Sequence, residues 1–227
     1  GETVVVSGAA GATGSVAGQL ARIAGAATVV GIAGSDDKCA WLVDDLGFDH
    51  AVNYRTEDVG DRLRATCPRG IDVYFDNVGG GILDAALANL ARNARVVLCG
   101  AISQYNEDRP VGPANYLQLI VTRSRMEGFL ILDYLERFPE AQLEMAGWVM
   151  EGRIHHREHV VHGLDHAGEA LNLLFSGGTT GKVVVAGGRR TADPGPGAGP
   201  WRRDPASSQV NQGCPHPPEN CVMLVAR

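Results

Sequence analysis

A chain of 227 residues, 44% hydrophobic and 20% charged, has the make-up of a soluble globular protein with one to two domains, which excludes a wholly disordered or collagen-like polymer. The formal net charge of −6 argues against a nucleic-acid partner held by phosphate neutralisation. No apolar run reaches the roughly 18 residues of a membrane-spanning helix, so no membrane partner is expected.

From Thr3 to Gly187, short β-branched runs alternate with longer helical patterns. TVVVS at Thr3 to Ser7 reads as a buried strand, followed by a glycine turn and a helix from Ser15 to Ala24. TVVGIA at Thr28 to Ala33 is the second strand. Ser35 caps a helix that runs to Leu46 and stops at Gly47. A strand at Ala51 to Asn53, a helix from Glu57 to Cys67, a strand at Ile71 to Asp76, a helix from Leu83 to Leu90 and a strand at Arg95 to Leu98 follow. After an excursion with a helix over Tyr116 to Thr122 come a strand at Met126 to Leu130, a helix over Pro139 to Met150 and an extended stretch at Arg157 to Val161. A helix from Asp165 to Phe175 and the strand KVVVA at Lys182 to Ala186 close the series. This order predicts an α/β fold, a Rossmann-like doubly wound parallel six-stranded sheet, over residues 1 to 187. Residues 188 to 227 hold seven of the eleven prolines and no amphipathic period, so a disordered low-complexity tail is expected there. The charge divides the same way, net −8 up to Gly187 and +2 beyond it. An anion site in the first part must therefore be local.

In VVVSGAAGATGS, Ala9, Gly11 and Gly14 occupy the three glycine positions of a dinucleotide-binding turn. Gly11 would let the backbone approach a pyrophosphate, and Gly14 would let the helix lie against the strand. The helix N-terminus, with Ala12 and Thr13 in its first turn, would supply N–H donors. The turn follows a buried strand and heads a β/α series, which favours nucleotide binding over a purely structural role. The second strand ends in Ala33-Gly34-Ser35, without the carboxylate that would hold the ribose 2′-hydroxyl of NAD. Ser35 and Lys38, one of only two lysines in the chain, suit the 2′-phosphate of NADP(H) instead. The run GGTTGKV at Gly177 to Val183 lacks the spacing of a phosphate-binding loop and reads as a hairpin-like turn into the last strand. Neither lysine has a tyrosine four residues before it, which excludes short-chain dehydrogenase chemistry.

The five cysteines form no Cys-x-x-Cys pair, so a reducing compartment, the cytoplasm, is expected rather than a disulfide scaffold. His155, His156, His159, His162 and His166 crowd together, but the stretch around them reads as extended and Gly163 interrupts it, so no metal site is expected.

AAGATGS at Ala9 to Ser15, GSDDK at Gly34 to Lys38, LGFDHAVNYR at Leu46 to Arg55, YFDNVGG at Tyr74 to Gly80, LCGAISQYN at Leu98 to Asn106, RMEGF at Arg125 to Phe129 and the closing GKVVV carry a resemblance. Together they resemble the cofactor-binding half of the medium-chain dehydrogenase/reductase superfamily, in its zinc-independent group of prostaglandin reductases, leukotriene dehydrogenases, alkenal double-bond reductases and curcumin reductases. The resemblance implies an NADPH-dependent reduction of the C=C bond of an α,β-unsaturated ketone or aldehyde, by hydride transfer to the β-carbon. A quinone reductase of related type, or a truncated module that binds NADP(H) or dimerises without turnover, are the alternatives. It also implies a homodimer, with Met126 to Ile131 as edge strand. An N-terminal GroES-like substrate domain is expected to be missing, because the chain begins almost at the first strand, with Gly1 in place of an initiator Met.

By the same resemblance, Gly11 to Gly14 hold the pyrophosphate, and Lys38 and Tyr54 the 2′-phosphate end. Asn77 and the loop Cys99, Gly100, Ala101, Ile102, Ser103 to Tyr105 line the nicotinamide-ribose side. Phe129, Leu130 and Ile131 supply backbone near the carboxamide. Thr179 stands where the group often has an asparagine touching the cofactor. Plainer roles stand beside these: a sheet-edge aromatic for Tyr54, a small buried hydrophobe for Cys99, a turn brace for Asn77. Tyr105 is the candidate catalytic residue, its phenol donating, directly or through the nicotinamide ribose 2′-hydroxyl, to the carbonyl oxygen on which charge develops, with loop packing as its plainer role.

Overall fold

Along the first strand Val4 and Val6 pack to one side and Val5 to the other, and all of Thr3–Ser7 is buried. A strand buried on both faces needs helices above and below it. The computed structural model, which describes residues 1–187, has that arrangement. Its parallel sheet consists of β1 (Thr3–Ser7), β2 (Thr28–Ala33), β3 (His50–Asn53), β4 (Ile71–Asp76), β5 (Leu90–Leu98) and β6 (Arg125–Gly128) in the order β3-β2-β1-β4-β5-β6. Val5 sits opposite Val30 on one side and Tyr74 on the other. The doubly wound six-stranded sheet expected from the sequence is therefore present, with β6 at one edge.

On the Val4 face, α1 (Ala12–Ile23) contributes Ala17 and Ala21, and α2 (Asp36–Asp44) contributes Trp41 and Leu42. On the Val5 face, α3 (Val59–Thr66) contributes Leu63, and α4 (Gly80–Leu87) contributes Leu83, Ala86 and Leu87. Small residues set how closely α1 approaches: a β-carbon on Gly18 would stand 1.9 Å from Cζ of Phe48, itself in the core. Ser35 caps α2 by accepting from the Lys38 N–H at 3.4 Å.

Several boundaries differ from those expected. α1 begins at Ala12 rather than Ser15, with Gly11 as its N-cap. α4 begins at Gly80, where Gly79 and Gly80 take φ of 72° and 58°, and so ends before β5 opens at Leu90 instead of Arg95. The early start is irregular: Asn93 has φ 64°, and the register slips between Ile71↔Leu90 and Val73↔Arg95.

The remaining elements are α5 (Gln118–Thr122), a 3₁₀ segment at Ile131–Arg137, α6 (Phe138–Met150), β7 (Glu158–His162), α7 (Ala167–Ser176) and β8 (Lys182–Ala186). β7 and β8 pair in parallel as a separate two-stranded sheet. The glycine-rich run after α7 is accordingly a helix-to-strand connection, not the hairpin-like turn expected: Gly177 closes α7 in the left-handed region with φ 65°. The histidine-rich stretch is extended over β7, as its sequence suggested. The Pro/Gly-rich tail at 188–227 lies outside the described residues. Among those residues, no helix is long and apolar enough to cross a membrane.

Candidate functional site

The order of the sheet reverses between β1 and β4, and at such a switch point the carboxyl ends of the strands leave a crevice. Its floor is a knot around Asp76, the last residue of β4 and fully buried. The Asp76 carboxylate accepts from Ser7 Oγ at 2.7 Å, from the Tyr74 hydroxyl at 3.0 Å and from the Val78 and Gly79 N–H groups at 3.1 Å. Burial, and then the Asp76 charge, push the Tyr74 phenol well above its ordinary pKa, so it stays protonated as a donor. Ser7 passes the knot on, accepting from the Asn77 N–H at 2.8 Å through Oγ and from Asn77 Nδ2 at 2.7 Å through its carbonyl. Asn77 thus braces the turn and also borders the crevice.

Above the knot stands the glycine turn. Gly8, with φ 56°, makes the tight bend, and Ala9 behind it is buried with its N–H donating to Ile32 O at 3.0 Å. The positive φ therefore falls one residue before the position read from the motif, which is why alanine is accommodated there. A β-carbon on Gly14 would stand 2.4 Å from Gly8 O, so glycine alone lets the first turn of α1 sit on the strand end. That turn has no acidic residue and no side-chain cap, which leaves its N–H donors and positive dipole end facing the crevice.

An open cleft of about 960 Å³ runs from this turn across the end of β2. Of the residues singled out from sequence, Gly11, Ala12, Thr13, Gly14, Lys38, Tyr54, Asn77, Ile102, Ser103 and Thr179 line it. Tyr54 packs on Gly34, its hydroxyl 2.8 Å from where a β-carbon would be. Lys38 Nζ donates to Gly177 O at 2.8 Å across the cleft. Burial, and then the charge of Arg55, hold the Lys38 ammonium below its ordinary pKa. Ser35 is at the same end, its hydroxyl engaged in the helix cap.

The opposite wall is the end of α7 with the turn to β8. Gly181 N–H donates to Ala10 O at 2.8 Å, and Gly11 and Gly181 form a parallel bridge. Buried Gln19 ties the same unit to α1, exchanging bonds of 2.7 and 2.9 Å with the backbone of His155.

At the other end, the loop after β5 is stitched to the knot. Cys99 and Gly100 N–H donate to Asp76 O at 2.8 and 3.0 Å, Ile102 N–H to Asn77 O, and Ser103 Oγ to Val78 O at 2.6 Å. Burial, and then Asp76, push the Cys99 thiol up, so it stays a protonated packing group rather than a nucleophile. Tyr105 is 61% exposed, and its hydroxyl oxygen accepts from the Ala101 N–H at 3.1 Å. Phe129 N–H donates to Leu98 O at 2.9 Å, continuing the β5–β6 pairing. Phe129 and Ile131 line a smaller apolar groove of about 440 Å³ that shares Ala12 and Thr13 with the main cleft. Ile102 and Ser103 of the loop line the main cleft, while Phe129 and Ile131 line the groove beside it.

Reasoning from sequence singled out neither Gly8 nor Arg55. Arg55 also lines the cleft, its guanidinium carbon 5.9 Å from the centre of the Tyr54 ring.

The family described as "Zinc-binding dehydrogenase" matches residues 12–146. YfmJ of Bacillus subtilis, named as an NADP-dependent oxidoreductase, is 48% identical over 189 residues, covering 82% of this chain and 56% of that protein. The NADP(+)-dependent 2-alkenal reductase of Nicotiana tabacum is 46% identical over 186 residues, covering 82% and 54%. Among solved structures, CurA of Vibrio vulnificus in complex with NADPH superposes with a TM-score of 0.78 at 42% identity, covering 83% of this chain and 58% of that one. The chain spans a little over half the length of the relatives it matches.

Proposed function

The chain belongs to the zinc-binding dehydrogenase family, in its zinc-independent group of alkenal, curcumin and prostaglandin reductases, and on that premise we propose that it is the cofactor-binding part of an NADPH-dependent reductase of α,β-unsaturated ketones and aldehydes. The observation that carries the reading is the adenosine end of the cleft. β2 runs out into neutral Ala33-Gly34-Ser35, and the cation Lys38 and the phenol of Tyr54 stand where an NAD site would present a carboxylate. The cradle fits a dinucleotide independently of any name: a β-carbon would fill the space at Gly14, and the first-turn donors of α1 face the cleft.

In this reading Gly11 to Gly14 take the pyrophosphate, and Ser35, Lys38 and Tyr54 take the 2′-phosphate. Asn77, the loop Cys99 to Ser103 and Thr179 border the nicotinamide ribose, and the backbone of Phe129 to Ile131 meets the carboxamide. Bound NADPH supplies the hydride for the β-carbon of the substrate. The chain's own contribution to the chemistry is Tyr105. Its oxygen is occupied by the Ala101 N–H, so its proton is offered outward to the substrate carbonyl, where it stabilises the enolate oxygen before the α-carbon is protonated. Substrate contacts beyond this come from a further domain, in keeping with relatives of which this chain matches a little over half. The free side of β6 pairs with a second copy in a cytoplasmic homodimer.

The test is to mix the purified chain with NADPH and a 2-alkenal and follow the reduced-nicotinamide absorbance. Its loss together with the C=C bond is the expected outcome. A nucleotide-binding module without turnover is the narrower second reading, and it predicts binding with a constant absorbance.

A further inference from the structure

Beside Lys38 the cleft carries a second cation. Arg55 follows Tyr54 just past β3, and its guanidinium donates to Ser176 O at 3.3 Å while Lys38 Nζ donates to Gly177 O at 2.8 Å. Two successive carbonyls at the end of α7 thus hold two positive side chains next to each other, favoured there by the negative end of the helix dipole. The two charges repel, and the lowered pKa of Lys38 reflects Arg55 as well as burial. Among the described residues neither cation forms an ion pair with a carboxylate.

Two of the acids nearby in sequence, Asp36 and Glu57, are engaged elsewhere. Asp36 Oδ1 accepts from Asn53 Nδ2 at 2.7 Å. Glu57 pairs with Arg62 Nε at 2.8 Å and accepts from the Asn53 N–H at 2.9 Å. Asn53 therefore draws both carboxylates toward itself, leaving the positive pair facing the cleft. Glu57 and Asp58 also border the cleft, but the Asp58 carboxylate is turned to the N-terminus of α3, where it accepts from the Asp61 N–H at 2.8 Å. Two like charges gathered in a concave site, neither paired with a carboxylate, make a place for a multiply charged anion. A phosphomonoester has close to two negative charges and three acceptor oxygens, enough for an ammonium and a guanidinium together. Arg55 has the fork for it: the bond to Ser176 engages one of five N–H donors.

We propose that Arg55 is the second cation of the 2′-phosphate site and a specificity-determining residue of the cleft, taking the phosphate with Lys38 in exchange for the carbonyls of Ser176 and Gly177. The proposal rests on the NADPH reading above and deepens it by assigning a residue that reading leaves out.

The experiment compares adenosine 2′,5′-bisphosphate with adenosine 5′-monophosphate, which differ only in the 2′-phosphate, by calorimetric titration of the full chain. Wild type should prefer the bisphosphate. Arg55→Gln should weaken the bisphosphate about thirtyfold and leave the monophosphate unchanged, and Arg55→Lys should restore part of the loss. Arg55 is exposed, so these variants are expected to fold. A wild-type preference kept in full by Arg55→Gln would overturn the role of Arg55 while sparing the NADPH reading. Equal weakening of both ligands would overturn it too, in favour of a structural role. No preference in wild type would overturn both.

Discussion

The Tyr54 hydroxyl lies 2.8 Å from the point where a β-carbon on Gly34 would stand. The ring occupies the space that the missing side chain leaves at the end of β2, which fixes the phenol at the cleft. Because the clash involves the tip of a side chain 41% exposed, Gly34→Ala should displace Tyr54 without unfolding the protein. We expect NADPH to bind about tenfold more weakly, NADH unchanged and the thermal midpoint nearly so, measured by titration and melting.

Gly18 and Phe48 show the opposite case, a clash with no exit. Phe48 is 3% exposed, and a Gly18 β-carbon would meet its ring at 1.9 Å. Gly18→Ala should cost about 2–3 kcal/mol in urea unfolding. Adding Phe48→Leu should recover part of that, since the two sites share one space.

Asp76 tests the floor of the crevice. Asp76→Ala would leave Ser7, Tyr74 and the Val78 and Gly79 N–H groups without their shared acceptor. A loss of about 3 kcal/mol or more is expected in denaturant unfolding. Nucleotide affinity should fall as well, because Asn77 and the loop after β5 are stitched to the same knot.

Lys38 gives the pH dependence its sign. Its folded-state pKa lies below the ordinary 10.5, through burial first and Arg55 second. The folded protein therefore releases this proton sooner than the unfolded chain does. The charged group costs stability at low pH, and the cost disappears as pH rises toward 10.5. Bound phosphate favours the charged form. NADPH affinity should thus decline as pH rises through the lowered pKa toward 10.5, while NADH affinity stays flatter. In Lys38→Arg, whose charge persists, titration should show the NADPH decline removed.

For Tyr105, the expected signature is a separation of binding from turnover. Tyr105→Phe should slow 2-alkenal reduction by roughly 10²-fold while NADPH affinity stays within about twofold. Equal losses in both would assign the phenol to packing of the loop it closes through Ala101.

The sheet was legible in the sequence because β-branched runs such as TVVVS and TVVGIA, buried on both faces, alternate with helices whose small residues must face a strand. Boundaries were less legible where backbone freedom decided them. The paired positive φ of Gly79 and Gly80 moves α4 earlier than its apolar spacing suggests, and Gly8 rather than Ala9 makes the bend. The glycine turn and Lys38 could be read from local motifs, and Tyr54 only through the family resemblance. Arg55 could not, since an arginine after a short strand looks like any surface charge until α7, more than 100 residues later, brings Ser176 against it. A basic residue beside the tyrosine that follows β3 was the available signal. The parallel pairing of β7 with β8 was hidden similarly, because a glycine-rich run does not reveal which way the next strand will point.

The central claim is that this cleft selects a 2′-phosphate, and calorimetric titration of the chain with NADPH and with NADH tests it most directly. NADPH should bind at least about tenfold more tightly, with the advantage shrinking as salt is added. Equal affinities for the two, or a preference for NADH, would contradict it.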